Sequence, residues 1–342
     1  MVTNQSCHLQ QHADSDTNRN MIVKALSAPA LADIRSAAEV LAPYIIRSPL
    51  LQLKPGGRSS EILLKLENLQ AIGAFKVRPM GNALLNADSA SLQKGAYTAS
   101  SGNAGLGLAW MANELGLAAT VYAPDTAPAE KLAAIRDLGA DLQFLTADEW
   151  WQIIVNCGHP DEPGVYVDAV RDPSAMAGNG TIGLEIIEQA PDIDTVIVPF
   201  GGGGLSCGIA AAIRPLKSDT RIIVAESDAA TPLTAALQAG RPVTVQTRPS
   251  FISGAGAPSV LEEMWPLVSE LVDDTVVVPV ADVAKAIKLL FEGNKVIAEG
   301  AGAIALAAAL ASDGKFGNSV CIVSGGNIDP DIMASILRNE ET

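Results

Sequence analysis

The chain has 342 residues and is 48% hydrophobic, which is enough to bury a large core and suggests two domains or one large α/β unit. Its formal net charge of -15 argues against nucleic acid and anionic membrane surfaces as partners. No uncharged apolar run reaches membrane-spanning length and the N-terminus lacks the basic-then-apolar order of a secretory signal, so we expect a cytoplasmic protein.

The first predicted elements follow a polar N-terminal segment. Residues 1–27 show no hydrophobic period and are expected to form a disordered tail. Apolar residues at helical spacing from Leu31 to Ile45 predict a helix, which Pro49 ends before a short extended piece at 50–53. Further along, short aliphatic runs alternate with Ala-rich segments, a pattern typical of strand–helix–strand units and a parallel sheet.

Nine further segments are predicted to be strands, with helices in most of the gaps between them. The predicted strands are residues 62–66, 96–99, 120–123, 142–145, 165–168, 195–199, 222–225, 276–280 and 320–323. One doubly wound sheet of that many strands would be large, so we expect two α/β domains. The smaller, mobile domain covers residues 95–172, and the larger, cofactor-binding domain combines 28–94 with 173–342.

Lys76 is a candidate catalytic residue within the run GAFKVRP at 73–79. An amine in an apolar setting loses hydration, its pKa falls, and the neutral form can attack a carbonyl to make a Schiff base. Lys76 is therefore a candidate anchor for an aldehyde cofactor, although most lysines are solvated surface charges.

Four consecutive glycines at 201–204 follow the predicted strand 195–199 and open an apolar helix. Their missing Cβ atoms, their amides and the helix N-terminus predict a cradle for a phosphate, with a plain tight turn as the alternative. A dinucleotide fingerprint is rejected because no frame gives G-x-G-x-x-G. A P-loop is rejected because no lysine follows the glycines.

Two more segments begin where predicted strands end. The run SSGNAG at 100–105 offers hydroxyls, an amide and free helix-terminal N–H groups for a carboxylate, and Asn103 can donate to a phenolate oxygen. An ordinary helix N-cap is the alternative role for this run. Ser324 precedes two glycines and can approach a ring nitrogen as a neutral donor, although Ser-Gly-Gly alone indicates only a turn.

Together the four segments resemble the pyridoxal-phosphate enzymes of fold type II. GAFKVRP, SSGNAG, GGGGL and SGGN occur in the order and spacing of that superfamily, and the chain looks like its serine/threonine dehydratase (ammonia-lyase) and serine racemase branch. The resemblance runs from about Ile34 to Leu337. It implies an α/β fold like that of tryptophan synthase β, with two open, twisted, mostly parallel sheets flanked by helices. It also implies pyridoxal 5′-phosphate as the cofactor.

The resemblance assigns roles to individual residues. Lys76 matches the Schiff-base lysine and Cα base, and Phe75 matches its aromatic neighbour. Ser101 matches a substrate-binding position that also serves as the second proton donor in racemases. The other implied cofactor contacts are Asn103, Gly201, Gly202, Gly203, Gly204, Leu205 and Ser324. The implied substrate contacts are Ser100, Ser101, Gly102, Asn103 and Ala104.

The implied reaction is β-elimination of water from an L-3-hydroxy amino acid, which yields a 2-oxo acid and ammonia. The alternatives are an amino-acid racemase, a β-replacement synthase with the same cofactor, and a non-catalytic metabolite-binding member of the fold. No regulatory domain is expected after the catalytic region, which favours a role in amino-acid degradation. The expected partner is an amino acid substrate, without nucleic acid or membrane, and a homodimer is the candidate assembly.

Three positions depart from the pattern of the family. Ala104 stands where dehydratases typically carry His, and Asn179 replaces a commoner Gln, so we expect room for a large β-substituent such as the aryl group of phenylserine. Pro232 stands where racemases have a second metal-binding carboxylate, so no metal is expected and Glu226 is the one candidate ligand. The four cysteines form no CxxC pair, which indicates neither a zinc site nor a disulfide framework.

Overall fold

The computed structural model of the protein describes residues 26–54, 60–100, 102–125, 127 and 129–340. Two sequence predictions fall outside this part of the chain. The predicted disordered tail at 1–27 lies outside it except for its last two residues. Ser101, a predicted catalytic and substrate-binding residue, also lies outside it.

The described residues form ten strands and thirteen α-helices. In chain order, the strands are β1 (Leu50–Gln52), β2 (Ile62–Leu66), β3 (Ala96–Ala99), β4 (Ala119–Pro124), β5 (Asp141–Leu145), β6 (Val165–Tyr166), β7 (Thr195–Pro199), β8 (Arg221–Ser227), β9 (Asp274–Val278) and β10 (Ser319–Val323). The helices are α1 (Leu31–Leu41), α2 (Val77–Asn86), α3 (Ser89–Leu92), α4 (Asn103–Leu115), α5 (Ala129–Asp137), α6 (Ala147–Val155), α7 (Pro173–Gln189), α8 (Gly204–Ile213), α9 (Pro232–Ala239), α10 (Trp265–Leu271), α11 (Val280–Leu289), α12 (Gly300–Ala311) and α13 (Pro330–Arg338).

The strands form two mostly parallel sheets. The larger has the order β1-β2-β10-β7-β8-β9, in which only the edge strand β1 runs antiparallel to its neighbour. The smaller has the order β5-β4-β3-β6 and is parallel throughout. Strands β7 and β10 are buried along their whole length, as expected when helices cover both faces of a parallel sheet. The predicted architecture is confirmed.

Every predicted strand bound agrees with the structure to within two residues. Two predicted elements, one strand and one helix, run past a proline at which the observed element has already ended. The strand predicted at 276–280 ends at Val278, because Pro279 is the N-cap residue of α11. The helix predicted through Ile45 ends at Leu41, because Pro43 has no backbone N–H with which to continue the helical hydrogen bonds.

Helices α7 and α8 cover one face of the larger sheet and pack unusually close together. A Cβ atom at Gly208 of α8 would lie 2.4 Å from the carbonyl oxygen of Met176 and 2.7 Å from the Cβ of Asn179. Only glycine fits at such a distance. This contact brings the N-terminus of α8, with its glycine loop, close against the backbone of α7.

The smaller sheet lies within the segment predicted as a small mobile domain, residues 95–172. Its apolar core includes Leu108, Met111 and Val121 and continues into α2 through Met80 and Leu84. The separateness and mobility of this segment stay predictions. In the part of the chain that the structure describes, no helix combines the length and the apolar character needed to cross a membrane.

Candidate active site

The four sequence motifs converge at the carboxyl ends of strands. Lys76 follows β2 after a 3₁₀ turn, the glycine loop follows β7, and Ser324 follows β10. Because β2, β10 and β7 are neighbours in the larger sheet, these three segments lie side by side. The SSGNAG segment follows β3 of the smaller sheet. The carboxyl edge of an open α/β sheet is where ligands bind.

The lysine loop is paired with the turn that follows β10. Ala74 and Gly325 form an antiparallel bridge. The Phe75 amide donates to the carbonyl of Ser324 at 3.0 Å, and the amide of Gly326 donates to the carbonyl of Gly73 at 2.8 Å. These backbone bonds fix the start of α2 next to Ser324, which is buried.

The surroundings of the Lys76 amine raise its neutral fraction above that of a solvated lysine. Its Nζ is 4.8 Å from the centroid of the Phe75 ring. Burial lowers the pKa of Lys76 to about 8, although the carboxylates of Asp168 and Glu299 act in the opposite direction. With such a pKa, roughly a tenth of the amine is neutral at pH 7, far more than for a solvated lysine.

The N-terminus of α4 is open toward the site. Its N-cap residue, Gly102, places no side chain on the first-turn amides, and a Cβ atom at Gly102 would meet nothing within 4 Å. The amide of Gly102 donates to the hydroxyl of Ser100 at 3.2 Å. Free N–H groups at a helix start suit a carboxylate. Ala104 is half-buried and packs against the core of the smaller sheet.

Asn103 reaches across to the larger sheet with both ends of its side-chain amide. Its Nδ2 donates to Oε1 of Glu299 at 2.7 Å, and its Oδ1 accepts from Nδ2 of Asn327 at 2.8 Å. The helix that carries Asn103 also packs closely on the lysine loop, because a Cβ atom at Gly107 would lie 3.0 Å from the carbonyl oxygen of Lys76.

The glycine loop forms a concave backbone surface. A Cβ atom at Gly201 would lie 2.5 Å from the carbonyl oxygen of Gly254, and one at Gly202 would lie 2.9 Å from the side chain of Val170. Gly203 is the N-cap residue of α8, with φ of +98°, and offers no capping side chain. The side chain of Leu205 lies in the apolar core, so only its backbone faces the loop. Such a loop fits a phosphate group.

Three polar residues at this edge received no role from the sequence. Asp168 follows β6, and its Oδ2 accepts from Nε of Arg171 at 2.6 Å. Glu299 is the N-cap residue of α12, and Asn327 follows the turn after β10. Glu299 directly precedes the Ala-rich helix α12, and this is a sequence signal for its position; Asp168 and Asn327 carry no such signal.

Glu226, the candidate metal ligand, is engaged by the helix that follows it. Both of its carboxylate oxygens accept hydrogen bonds, from the amide of Leu233 at 2.8 Å and from the amide and hydroxyl of Thr234 at 2.9 and 2.6 Å. The carboxylate thus accepts hydrogen bonds from first-turn amides of α9, which have no partner within the helix. Among the described residues, no group of three or more His, Cys, Asp or Glu side chains is placed to hold a metal ion.

A buried ion network lies directly behind the lysine loop. Arg78, in the first turn of α2, donates to Glu67 through Nε at 2.8 Å and through an NH2 group at 2.9 Å. It also donates to Glu185 of α7 at 2.7 Å, and Glu185 pairs with Lys65 of β2 at 2.5 Å. Two positive and two negative side chains balance in this network, which ties the start of α2 to β2 and α7.

Comparison with known proteins decides the family. Residues 41–325 match the protein family described as pyridoxal-phosphate dependent enzyme. The chain belongs to this family. It is 40% identical to the L-threonine ammonia-lyase of Geobacter sulfurreducens over 283 residues, which cover 81% of this chain and 70% of that protein. It is 36% identical to the catabolic L-threonine dehydratase of Escherichia coli K12, over 90% of this chain and 95% of that protein.

Solved structures agree with this assignment. The structure of maize serine racemase matches with a TM-score of 0.83 at 31% identity and covers 92% of this chain and 98% of that one. The predicted resemblance, the fold type II architecture and the pyridoxal phosphate cofactor are confirmed, as is the prediction of a pyridoxal-phosphate-dependent lyase. The site fits the cofactor, because it offers an amine of lowered pKa and a loop without Cβ atoms for a phosphate.

Proposed function

We propose that this protein is a dehydratase that eliminates water from L-threonine or L-serine and releases a 2-oxo acid and ammonia. The observation that carries the proposal is the position of Lys76, whose amine has a lowered pKa and lies at the sheet edge that also holds the glycine loop. Helix α4, whose start is open, packs against the same lysine loop through Gly107. The activities named for the curated relatives, at 36% and 40% identity, support the same reaction.

In this proposal each motif holds one part of the cofactor. Lys76 anchors its aldehyde, the amides of residues 201–205 bind its phosphate, Asn103 donates to its phenolic oxygen, and Ser324 faces its ring nitrogen as a neutral partner. Bound pyridoxal phosphate supplies a conjugated ring that delocalises the negative charge developing at Cα.

The chain's own groups then bind the substrate and move its protons. The first-turn amides of α4, with Ser100 and Gly102, bind the substrate carboxylate and orient Cα toward Lys76. The neutral amine of Lys76 takes the Cα proton, and the adjacent Phe75 ring shields that amine from water. Ser101 is proposed as a second proton donor by its match to that position in the racemases, which makes racemisation a second activity that the likeness to serine racemase favours.

A substrate screen of the purified, cofactor-loaded protein tests the proposal. With L-threonine or L-serine we expect a 2-oxo acid and ammonia in equal amounts, and no product from Lys76→Ala. Accumulation of the D-enantiomer without 2-oxo acid would identify a racemase instead. A need for an added nucleophile would identify a β-replacement synthase.

We also propose that the substrate pocket accepts a β-substituent larger than methyl, such as the aryl group of phenylserine. The support is the small side chain of Ala104 in the first turn of α4, at the position where dehydratases of the family typically carry a larger His. We expect kcat/KM to be higher for phenylserine than for threonine, and Ala104→His to lower it for phenylserine only. Equal kcat/KM values for the two substrates would contradict this preference. The homodimer and the cytoplasmic location stay predictions.

A further inference from the structure

The side-chain amide of Asn103 is held from two directions. Asn327 donates to its Oδ1 at 2.8 Å, and its own Nδ2 donates to Glu299 at 2.7 Å. Both partners lie more than 190 positions away in the sequence and belong to segments beside the larger sheet. Asn103 therefore takes its orientation from residues outside its own helix.

The hydrogen bonds permit one orientation of each amide. If the Asn103 amide were rotated by half a turn, its Oδ1 would face the Glu299 carboxylate, and two acceptors would meet. If the Asn327 amide were rotated, its Oδ1 would face both the carbonyl of Ile72 and Oδ1 of Asn103. The arrangement seen here satisfies every one of these contacts, with Asn327 Nδ2 also donating to Ile72 at 2.9 Å.

Asn327 thereby joins two parts of the site with one NH2 group. Ile72 lies in the loop that leads to Lys76, while Asn103 opens the helix of the substrate clamp. The side chain of Asn327 rests on Gly73, where a Cβ atom would lie 2.5 Å from its Oδ1. Gly73 has φ of +71°, so a larger residue there is disfavoured by the backbone as well.

We propose that Asn327 is a positioning residue, which turns the Asn103 amide so that its NH2 group, and not its oxygen, faces the phenolic oxygen of the cofactor. The inference rests on the proposed role of Asn103. It predicts that Asn327 affects cofactor binding only through Asn103, whereas a residue that merely supports the fold would act whether or not Asn103 is present.

The substitution Asn327→Asp tests the proposal most sharply. It replaces the NH2 group by a second acceptor, which draws the Nδ2 of Asn103 toward residue 327 and away from the cofactor, against the orientation that Glu299 favours. We expect the Kd of pyridoxal phosphate for the apoenzyme to rise about fivefold or more, as for the loss of one hydrogen bond. The matched control is Asn68→Asp. Asn68 also donates to a backbone carbonyl, that of Ile297 at 2.9 Å, and the substitution adds the same negative charge.

A double-mutant cycle with Asn103→Ala separates positioning from support of the fold. The Kd is measured for wild type, Asn103→Ala, Asn327→Asp and the double variant, with the melting temperature of each apoenzyme alongside. We expect Asn327→Asp to change Kd by less than about twofold when Asn103 is absent, and Asn68→Asp to change it by less than about twofold in either background. Asn327→Ser, which removes the donor without adding charge, replaces Asn327→Asp if the latter does not fold.

The outcomes distinguish the inference from the function on which it rests. If Asn103→Ala leaves Kd unchanged, the proposed role of Asn103 is wrong and the inference falls with it. If Asn103→Ala weakens binding but Asn327→Asp and Asn327→Ser do not, the positioning role alone is wrong. The positioning role is also wrong if the residue 327 variants weaken binding equally whether Asn103 is present or replaced by Ala.

Discussion

The amine of Lys76 is subject to two opposing effects. Burial disfavours its charged form, while the carboxylates of Asp168 and Glu299 favour it. Burial prevails and brings the pKa to about 8 instead of 10.5. Because the neutral amine is the reactive form, the reactivity of Lys76 rises with pH and levels off above its pKa.

We therefore predict that acetylation of Lys76 in the apoenzyme rises with pH and reaches half its maximal rate near pH 8. Competitive labelling followed by peptide mass spectrometry measures this rate, with the exposed Lys94 in the same sample as the reference. A half-maximal rate above pH 10 would show that burial does not control this amine.

Asn179 is completely buried, and neither polar atom of its side chain has a hydrogen-bond partner within the part of the chain that the structure describes. An unsatisfied buried polar group destabilises the folded state, whereas an apolar side chain of similar shape avoids this cost. We predict that Asn179→Leu raises the free energy of unfolding by about 1 kcal/mol or more in urea titrations.

Asn82 provides the matched control for that substitution. It is also buried, but its Nδ2 donates to the carbonyl of Ser174 at 2.7 Å and its Oδ1 accepts from Asn86 at 3.0 Å. We expect Asn82→Leu to lower the free energy of unfolding by about 1–3 kcal/mol, because it leaves those partners unsatisfied. Equal losses in the two variants would contradict the assignment of Asn179 as unsatisfied.

At the scale of single residues, the sequence identified the groups that stand in local motifs. Lys76 and the glycine loop could be found because their chemistry depends on their immediate neighbours. Asn327 was quoted only as the last residue of SGGN and Glu299 received no role, because their contacts with Asn103 span 224 and 196 positions. No local pattern encodes such a contact.

Among the elements, α2 is the one whose position decides the geometry of the site. It begins directly after Lys76, and Arg78 in its first turn is fully buried with Glu67 and Glu185 as partners. Burial raises the pKa of Glu67, but the charge and hydrogen bonds of Arg78, with the Ser48 hydroxyl and the charge of Lys65, together outweigh this effect and hold the pKa below its ordinary value. Removal of Arg78 would leave that carboxylate buried without its main partner.

We predict that Arg78→Met lowers the free energy of unfolding by about 3–5 kcal/mol, as measured by urea titration at pH 7. The surface pair of Arg47 and Glu188 is the control, since both side chains are more than half exposed at a separation of 2.7 Å. Arg47→Met should cost less than about 1 kcal/mol. A similar small cost for Arg78→Met would show that the buried network does not anchor α2.

Elements were predicted correctly from the sequence where a short hydrophobic run is bounded by turn residues. Strands β2, β3 and β7 were placed at their observed bounds, because short aliphatic runs between turn residues mark strands covered on both faces. The end of β9 was misplaced, because Val280 continues the aliphatic run although Pro279 has already capped the next helix. Pattern alone does not separate the last residue of a strand from the first of a helix.

At the scale of the whole molecule, the chain forms two sheets, and the hydrogen bonds of Asn103 with Glu299 and Asn327 link the segments that follow them. The two-sheet arrangement followed from the number of strands, but the strand order did not. β10 pairs with both β2 and β7, so segments 62–66 and 319–323 lie side by side although they are at opposite ends of the described chain. Such pairing depends on the packing of the complete fold.

The predicted mobility of the small domain can be tested at this scale. We expect amide hydrogen exchange within residues 95–172 to be faster than in β7 and β10, and to slow at the start of α4 when a non-reacting dicarboxylate such as malonate binds. Mass spectrometry of the cofactor-loaded protein with and without malonate measures both effects. Uniform exchange across the two sheets, unchanged by malonate, would contradict a separately moving domain.

The central claim is that Lys76 holds the cofactor. Borohydride reduction of the loaded protein makes the link between pyridoxal phosphate and its lysine permanent, and peptide mass spectrometry then locates it. The account predicts one phosphopyridoxyl group per chain, on the peptide that contains Lys76, and none in Lys76→Ala. Labelling of a different lysine, or equal labelling of Lys76→Ala, would contradict it.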